Sequence, residues 1–173
     1  VVFDKSYGYQ TYDSLRPING NTLYDIASVT KVLATTQVLM ELYSLGELSL
    51  DSTVGYYLPE LVESNKGSMV IRDILSHQAG LWPYLSHWSK TLDEKKMPDS
   101  KLYCYKVGDS VFCNRVSNDM YASKYVEDSV WKWTVESELI KPNEDGSYRY
   151  RYSDVGYYIL VKVIEKIVSI DKN

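Results

Sequence analysis

The sequence predicts a helix-rich α+β fold, and three observations carry that expectation. Apolar side chains recur at helical spacing over 28–45 and again over 155–168, β-forming residues crowd the first dozen positions, and Pro and Gly punctuate much of the rest. The 173 residues suit one domain with a real core and hardly two. Hydrophobic residues at 45% and charged residues at 24% argue against wholesale disorder, and a net charge of −4 argues against a basic face for nucleic acid. The aromatic set is lopsided, with 17 Tyr and 4 Trp against 2 Phe. Tyrosine buries a ring while its hydroxyl stays wet, which suits a half-exposed surface or groove.

Taken in order, Val1–Tyr12 reads as an edge strand or hairpin arm with Gly8 as its bend, and 13–25 is turn-rich through Pro17, Asn19, Gly20 and Asn21. Ser28–Leu45 is the best helix, with apolar residues at 29, 32, 33, 39, 40 and 43 and Gly46 as a natural C-cap. A short segment follows and closes at Pro59. Val70–Ser76 is a short amphipathic helix running into His77-Gln78-Ala79-Gly80, where Gly80 can stop it. Residues 82–118 are irregular, broken by Pro83, Pro98 and Gly108. Ser123–Leu139 is weakly helical, with Trp131 and Trp133 too close in sequence to share a face. A loop over 142–152 leads into the second strong helix, Val155–Val168. The expected picture is a helical body with a little sheet at the front and no repeat or linker.

Val1-Val2-Phe3 reads like the middle of a strand, and Asn173 follows directly on a helical pattern, so both ends are expected to be cut. The missing signal segment then says nothing about compartment. No apolar run approaches the roughly 18 residues of a membrane span. Cys104 and Cys113 stand nine apart without a CxxC, and a zinc site wants four ligands at tighter spacing. Two free thiols are expected, with a local disulfide in an exported protein as the alternative.

The chemistry-bearing candidates are few. Ser28 and Lys31 are separated by one helical turn and share a face. A serine hydroxyl is a poor nucleophile until a base takes its proton, and a neighbouring amine can do so. A helix start also aims N–H groups and the positive dipole end at charge developing beside it. The bland meaning is a helix-start Ser with a solvated Lys, and Ser129…Lys132 and Ser169…Lys172 are read as accidental copies. Ser28 differs in standing at the entry to a long apolar helix. Tyr152-Ser153-Asp154 precedes the second strong helix, and Tyr152 is the one tyrosine of 17 followed at i+2 by Asp or Asn. A phenol near a cation can relay a proton. The bland alternative is a packed Tyr152 with Asp154 as the helix N-cap.

Leu23-Tyr24-Asp25-Ile26-Ala27-Ser28-Val29-Thr30-Lys31, Ile74-Leu75-Ser76-His77-Gln78-Ala79-Gly80-Leu81 and Tyr152-Ser153-Asp154-Val155-Gly156-Tyr157, in that order, resemble the serine β-lactamase-related family. That family groups class C β-lactamases, D-alanyl-D-alanine carboxypeptidases and related esterases. With Tyr12-Asp13-Ser14-Leu15-Arg16-Pro17, the stretch is also similar to the module of that family fused to β-N-acetylhexosaminidases in some exported bacterial proteins. The resemblance implies an α/β sandwich with an inserted helical subdomain, of which this chain is a partial β-lactamase/transpeptidase-like fold. It implies Ser28 as the acylated nucleophile, Lys31 as its base or proton shuttle, Tyr152 as the relay to the leaving group, Asp154 at the substrate-binding position and the Ser28 N–H as an oxyanion donor. His77 would belong to a structural turn, and His87, outside any motif, to the surface.

The implied activity is acyl transfer to serine followed by hydrolysis of an amide, ester or lactam, without metal or cofactor. The substrate would be a small molecule or peptide, a β-lactam, D-Ala peptide or ester, met in the bacterial periplasm or at the cell surface, with a preference for a cell-wall or glycan-related role. Two departures stand out. Asp154 replaces the usual Asn, and an ionised carboxylate only accepts hydrogen bonds where an amide also donates. The Lys-Thr-Gly or His-x-Gly motif is missing; Lys106-Val107-Gly108 precedes Tyr152 in an irregular stretch and is rejected. The second oxyanion donor and the substrate-binding strand are therefore expected beyond Asn173. Residues 1–173 are read as one incomplete domain, with 1–25 as edge strand, hairpin and turn and 26–173 as nucleophile helix and helical subdomain. Its open edge is expected to favour self-association. Tyr56, Tyr57, Tyr84 and Trp82 could line the groove or simply pack. The rival reading is a non-catalytic binding or structural module.

Overall fold

The computed structural model describes residues 3–105 and 108–170. Val1, Val2, Lys106, Val107 and Asp171–Asn173 lie outside them, and with them part of the first strand, of the rejected Lys106-Val107-Gly108 and of the Ser169…Lys172 copy. The strongest apolar periodicity becomes helix α5, Val155–Ile170, and the core is built against it. Val155, Ile159, Leu160, Val163 and Ile167 form its buried stripe. They face Val54 and Tyr57 of α2 (Val54–Tyr57) and Ile71 and Ile74 of α3 (Ile71–Leu75). Each such side chain contributes about 1.5–3 kcal/mol by leaving water. Gly156 permits the closest approach, since a Cβ there would sit 2.8 Å from Ile74 Cγ2.

The first predicted helix is present and ends where Gly46, at φ +77°, turns the chain. Its opening turn departs from α geometry: Lys31–Thr35 is a π turn, and α1 proper runs over Thr36–Ser44. Both the backbone N–H and the hydroxyl of Thr36 donate to Lys31 O, which holds the wide turn. Leu39 and Leu42 carry α1 into the core.

The short helix over 70–76 is α3, but its stop is His77 rather than Gly80. His77 takes φ +58°, with its N–H donating to Ile74 O and that of Gln78 to Asp73 O, so it fills the left-handed position of a Schellman cap. Gly80 makes a second left-handed turn, packed under the Tyr148 ring.

The sheet is not at the front. Near the N-terminus the described residues form a single antiparallel bridge, Tyr9 to Pro17, closed by Gln10 N–H to Arg16 O and Ile18 N–H to Gly8 O. No neighbouring strand extends it among the described residues, and an isolated hairpin is marginal in water. The three-stranded antiparallel sheet lies in the stretch expected to be irregular: β1 (Tyr103–Cys104), β2 (Asn114–Arg115) and β3 (Tyr121–Ala122), ordered β1-β3-β2. Cys104 and Cys113 are both free.

Helix α4 occupies Lys124–Glu136, and its two tryptophans diverge as expected. Trp131 packs on the core, and Trp133 lies 5.8 Å from the His87 ring. His87 is therefore buried and not a surface residue: its Nε2 pairs with Thr134 Oγ1 at 3.1 Å, and burial pushes its pKa down, Lys90 adding to the effect. Lys66 is fully buried as well, with its ammonium on Asn65 Oδ1 and on the Ser137 carbonyl that ends α4. Burial pushes its pKa down to about 8 against a weak opposing pull from Glu138.

Candidate active site

Three turns place Ser28. Asp25 Oδ1 accepts the Ala27 N–H at 2.7 Å, Ala27 adopts φ +45°, and Val29, Thr30 and Lys31 each donate backwards to Ile26, Ala27 and Ser28 carbonyls. A left-handed alanine costs about 1–2 kcal/mol, so the corner is held against its own preference. Ser28 is left exposed at the helix start, and its own N–H makes no hydrogen bond among the described residues.

Lys31 Nζ donates to Ser28 Oγ at 3.1 Å. The same ammonium stands 2.5 Å from Asp154 Oδ1, its side chain 16% exposed against 41% for Asp154. That oxygen is buried and has no directed hydrogen bond among the described residues, so the contact is a tight ion pair. The ammonium also lies 5.3 Å from the Tyr152 ring centre and 5.6 Å from that of Tyr157. Burial works to lower the Lys31 pKa, but the close polar contacts and charge of Asp154 and Tyr152 outweigh it and the net shift is upward. The resting side chain is therefore an ammonium, able to steady a Ser28 alkoxide and needing to lose a proton before it can act as a base.

The Tyr152–Asp154 segment is clamped from two sides. Arg151 N–H donates to His77 O and Ser153 N–H to His77 Nδ1, so the imidazole is an acceptor at that nitrogen. Ser153 Oγ donates to Trp82 O at 2.6 Å, and Asp154 N–H to Pro83 O. The His77 ring lies 4.6 Å from that of Tyr152, and its pKa is lowered by burial and by the Lys31 charge against a smaller pull from Asp154. Ser153, not Asp154, supplies the helix cap, its Oγ accepting the Gly156 N–H at 3.4 Å. Asp154 is thereby free to turn towards Lys31.

Ser28, Lys31 and Asp154 line a depression of about 340 Å³ with Tyr157 and Tyr158. Tyr152 sits beside it, joined through its contact with Lys31. None of Tyr56, Tyr57, Trp82 and Tyr84 lines it. Tyr57 is buried with its hydroxyl accepting the Ser49 N–H, and Trp82 contributes a carbonyl to the clamp. Sequence reasoning missed Tyr157, for which a place inside the third quoted motif was the only signal, and Ser153, detectable as a hydroxyl three residues before Gly156. Among the described residues no group of three or more His, Cys, Asp or Glu could hold a metal ion. No described helix is long and apolar enough to cross a membrane.

The profile of the beta-lactamase family matches residues 1–169. Esterase EstB of Burkholderia gladioli is 33% identical over 89 residues, covering 49% of this chain and 22% of that protein. A Salmonella heidelberg protein provisionally named a D-alanyl-D-alanine carboxypeptidase is 28% identical over 187 aligned positions, covering 98% of this chain and 36% of its own length. The crystal structure of a class C beta-lactamase from Rhodobacter sphaeroides superposes with a TM-score of 0.52 at 21% identity, over 94% of this chain and 35% of that one. The chain thus spans between 18% and 36% of the length of such curated relatives.

Proposed function

Because the chain belongs to the beta-lactamase family, we propose that it is a serine hydrolase that acylates Ser28 and cleaves an amide, ester or lactam. The observation that carries this reading is the 3.1 Å hydrogen bond from Lys31 to Ser28 Oγ at an exposed helix start. The neutral form of Lys31, its ammonium proton lost to solvent, is the form that reacts. The freed amine takes the Ser28 proton while Oγ bonds to the substrate carbonyl carbon. The Ser28 N–H faces the oxyanion that develops. The leaving group departs with a proton from Lys31, relayed by Tyr152, and water then cleaves the acyl–Ser28 bond. Ionised Asp154 offers no donor to a substrate carbonyl, so in place of an amide that would bind substrate it pairs with the Lys31 ammonium and favours its protonated form.

The names of the relatives, an esterase, a carboxypeptidase and a class C beta-lactamase, support all three bond types. A cell-wall peptide met outside the cytoplasm is the setting we favour. The test is intact mass after exposure to a penicillin and to an activated phosphonate. An adduct on Ser28 that Ser28→Ala abolishes is expected; no adduct, with an esterase rate unchanged by Ser28→Ala, overturns the reading. A second reading, a binding module without turnover, is favoured by one observation, the neutralisation of Lys31 by Asp154. It predicts saturable ligand binding to both the parent chain and Ser28→Ala, with neither hydrolysing the ligand.

A further inference from the structure

The depression at Ser28 does not end at Asp154. Tyr158 and Val161 line it, and the same two residues line a second depression of about 370 Å³ between α4 and α5. The two depressions adjoin at Tyr158 and Val161 and, taken together, follow the exposed side of α5 as a trough. Asp154 and Val161 are separated by seven residues, about 10 Å along a helix axis. The floor of the far part is apolar, made by Trp131 together with Tyr158 and Val161, which are 49% and 38% exposed.

Charges rim this floor, but they are already engaged with one another. Lys124 pairs with Glu127 at 3.2 Å and Asp128 at 3.1 Å, and Lys162 with Glu165 at 2.7 Å. The rim thus carries two cations against three carboxylates, all in mutual pairs. It offers no spare cation to an anionic ligand, while the aromatic floor rewards burial of an uncharged apolar group.

We propose that this trough is the acyl subsite of the serine hydrolase proposed above, and that the enzyme prefers esters and amides of uncharged, medium-length apolar acyl groups. The occupant is the acyl arm of the substrate, because the apolar depression adjoins the one that holds Ser28 at Tyr158 and Val161. An acyl carbon held at Ser28 Oγ starts its tail at Asp154 and lays it along α5 towards Trp131. The proposal rests on the serine-hydrolase reading.

The test is kcat/KM for p-nitrophenyl acetate, butyrate, hexanoate and octanoate, measured on the chain and on Trp131→Ala and Val161→Glu. Each buried methylene is expected to raise kcat/KM about 3- to 4-fold. The octanoate-to-acetate ratio is expected to fall at least 10-fold in either variant, and a carboxylate at the tail end to cost more than the methylenes gain. A flat chain-length profile in a chain that hydrolyses acetate overturns the proposal, as does a ratio that the variants leave unmoved. So does a variant that changes oligomeric state on a sizing column with no change in ratio, which would make the trough a protein contact. Loss of all ester hydrolysis together with the absence of a Ser28 adduct is instead failure of the serine-hydrolase reading. In that event octanamide binding to Ser28→Ala, followed by tryptophan fluorescence, decides the trough: weakening in Val161→Glu supports it, and equal binding overturns it.

Discussion

Replacing Asp154 by Asn keeps the shape of the side chain and removes its charge, so it isolates what the carboxylate does to Lys31. Unit charges 2.5 Å apart attract by about 6–7 kcal/mol at an effective dielectric of 20. The carboxylate is partly exposed and both groups are partly desolvated, so water screens most of that. What remains is on the order of 1.5–3 kcal/mol, the range of a charge-assisted hydrogen bond. All of it favours the protonated form of Lys31. Without it, burial is the main influence left, and burial lowers the Lys31 pKa. More of the amine is then neutral at a given pH, and the rising limb of a kcat/KM profile moves to lower pH. About 1.4 kcal/mol of lost coupling corresponds to 10-fold in rate, so kcat/KM at pH 7 with an activated ester is expected to rise about 10-fold in Asp154→Asn. His77, Tyr152 and Tyr157 face the same ammonium and are unchanged in the variant. A stopped-flow pH series on both proteins measures the limb directly. A limb that stays in place, or a rate at pH 7 that falls, would refute the argument that Asp154 holds Lys31 protonated.

The remaining predictions concern stability. Lys66 has a folded pKa near 8 against an ordinary value of 10.5, so the unfolded chain binds more protons between those values and stability rises with pH across them. About 1 kcal/mol is expected to be gained between pH 7 and pH 9 in urea titrations, and Lys66→Met should remove that slope. Ser153→Ala deletes both the bond to Trp82 O and the cap on Gly156 and should cost about 1–2 kcal/mol, a few degrees in Tm by calorimetry. Gly156→Ala sets a Cβ 2.8 Å from Ile74 and 3.3 Å from Leu81, and should cost about 1–3 kcal/mol in the same assay.

Periodicity made the two long helices legible because their buried stripes are continuous: Leu39 and Leu42 on one, Val155 to Ile167 on the other. It said nothing of the π turn at Lys31–Thr35, because the pattern of apolar positions records which face is buried and not which carbonyl each N–H chooses. There the Thr36 hydroxyl decides. The small sheet over 103–122 was hidden for a different reason, since strands of two residues are too short to alternate. His87 looked like a surface residue because its partners, Thr134 and Trp133, lie on a helix distant in sequence. At the site, Ser28 and Lys31 were readable from local spacing. The pairing of Lys31 with Asp154 was not, since it joins two elements through the tertiary fold, and a cap by Ser153 is what leaves Asp154 free to make it.

The central claim is that Lys31 activates Ser28 for acylation. The time course of a Ser28 adduct with an activated ester, followed by intact mass in the parent chain and in Lys31→Met, tests it most directly. Stoichiometric labelling of Ser28 in the parent, slowed at least 100-fold in a folded Lys31→Met chain, is the predicted result. Equal labelling rates in the two, or labelling at a residue other than Ser28, would contradict it.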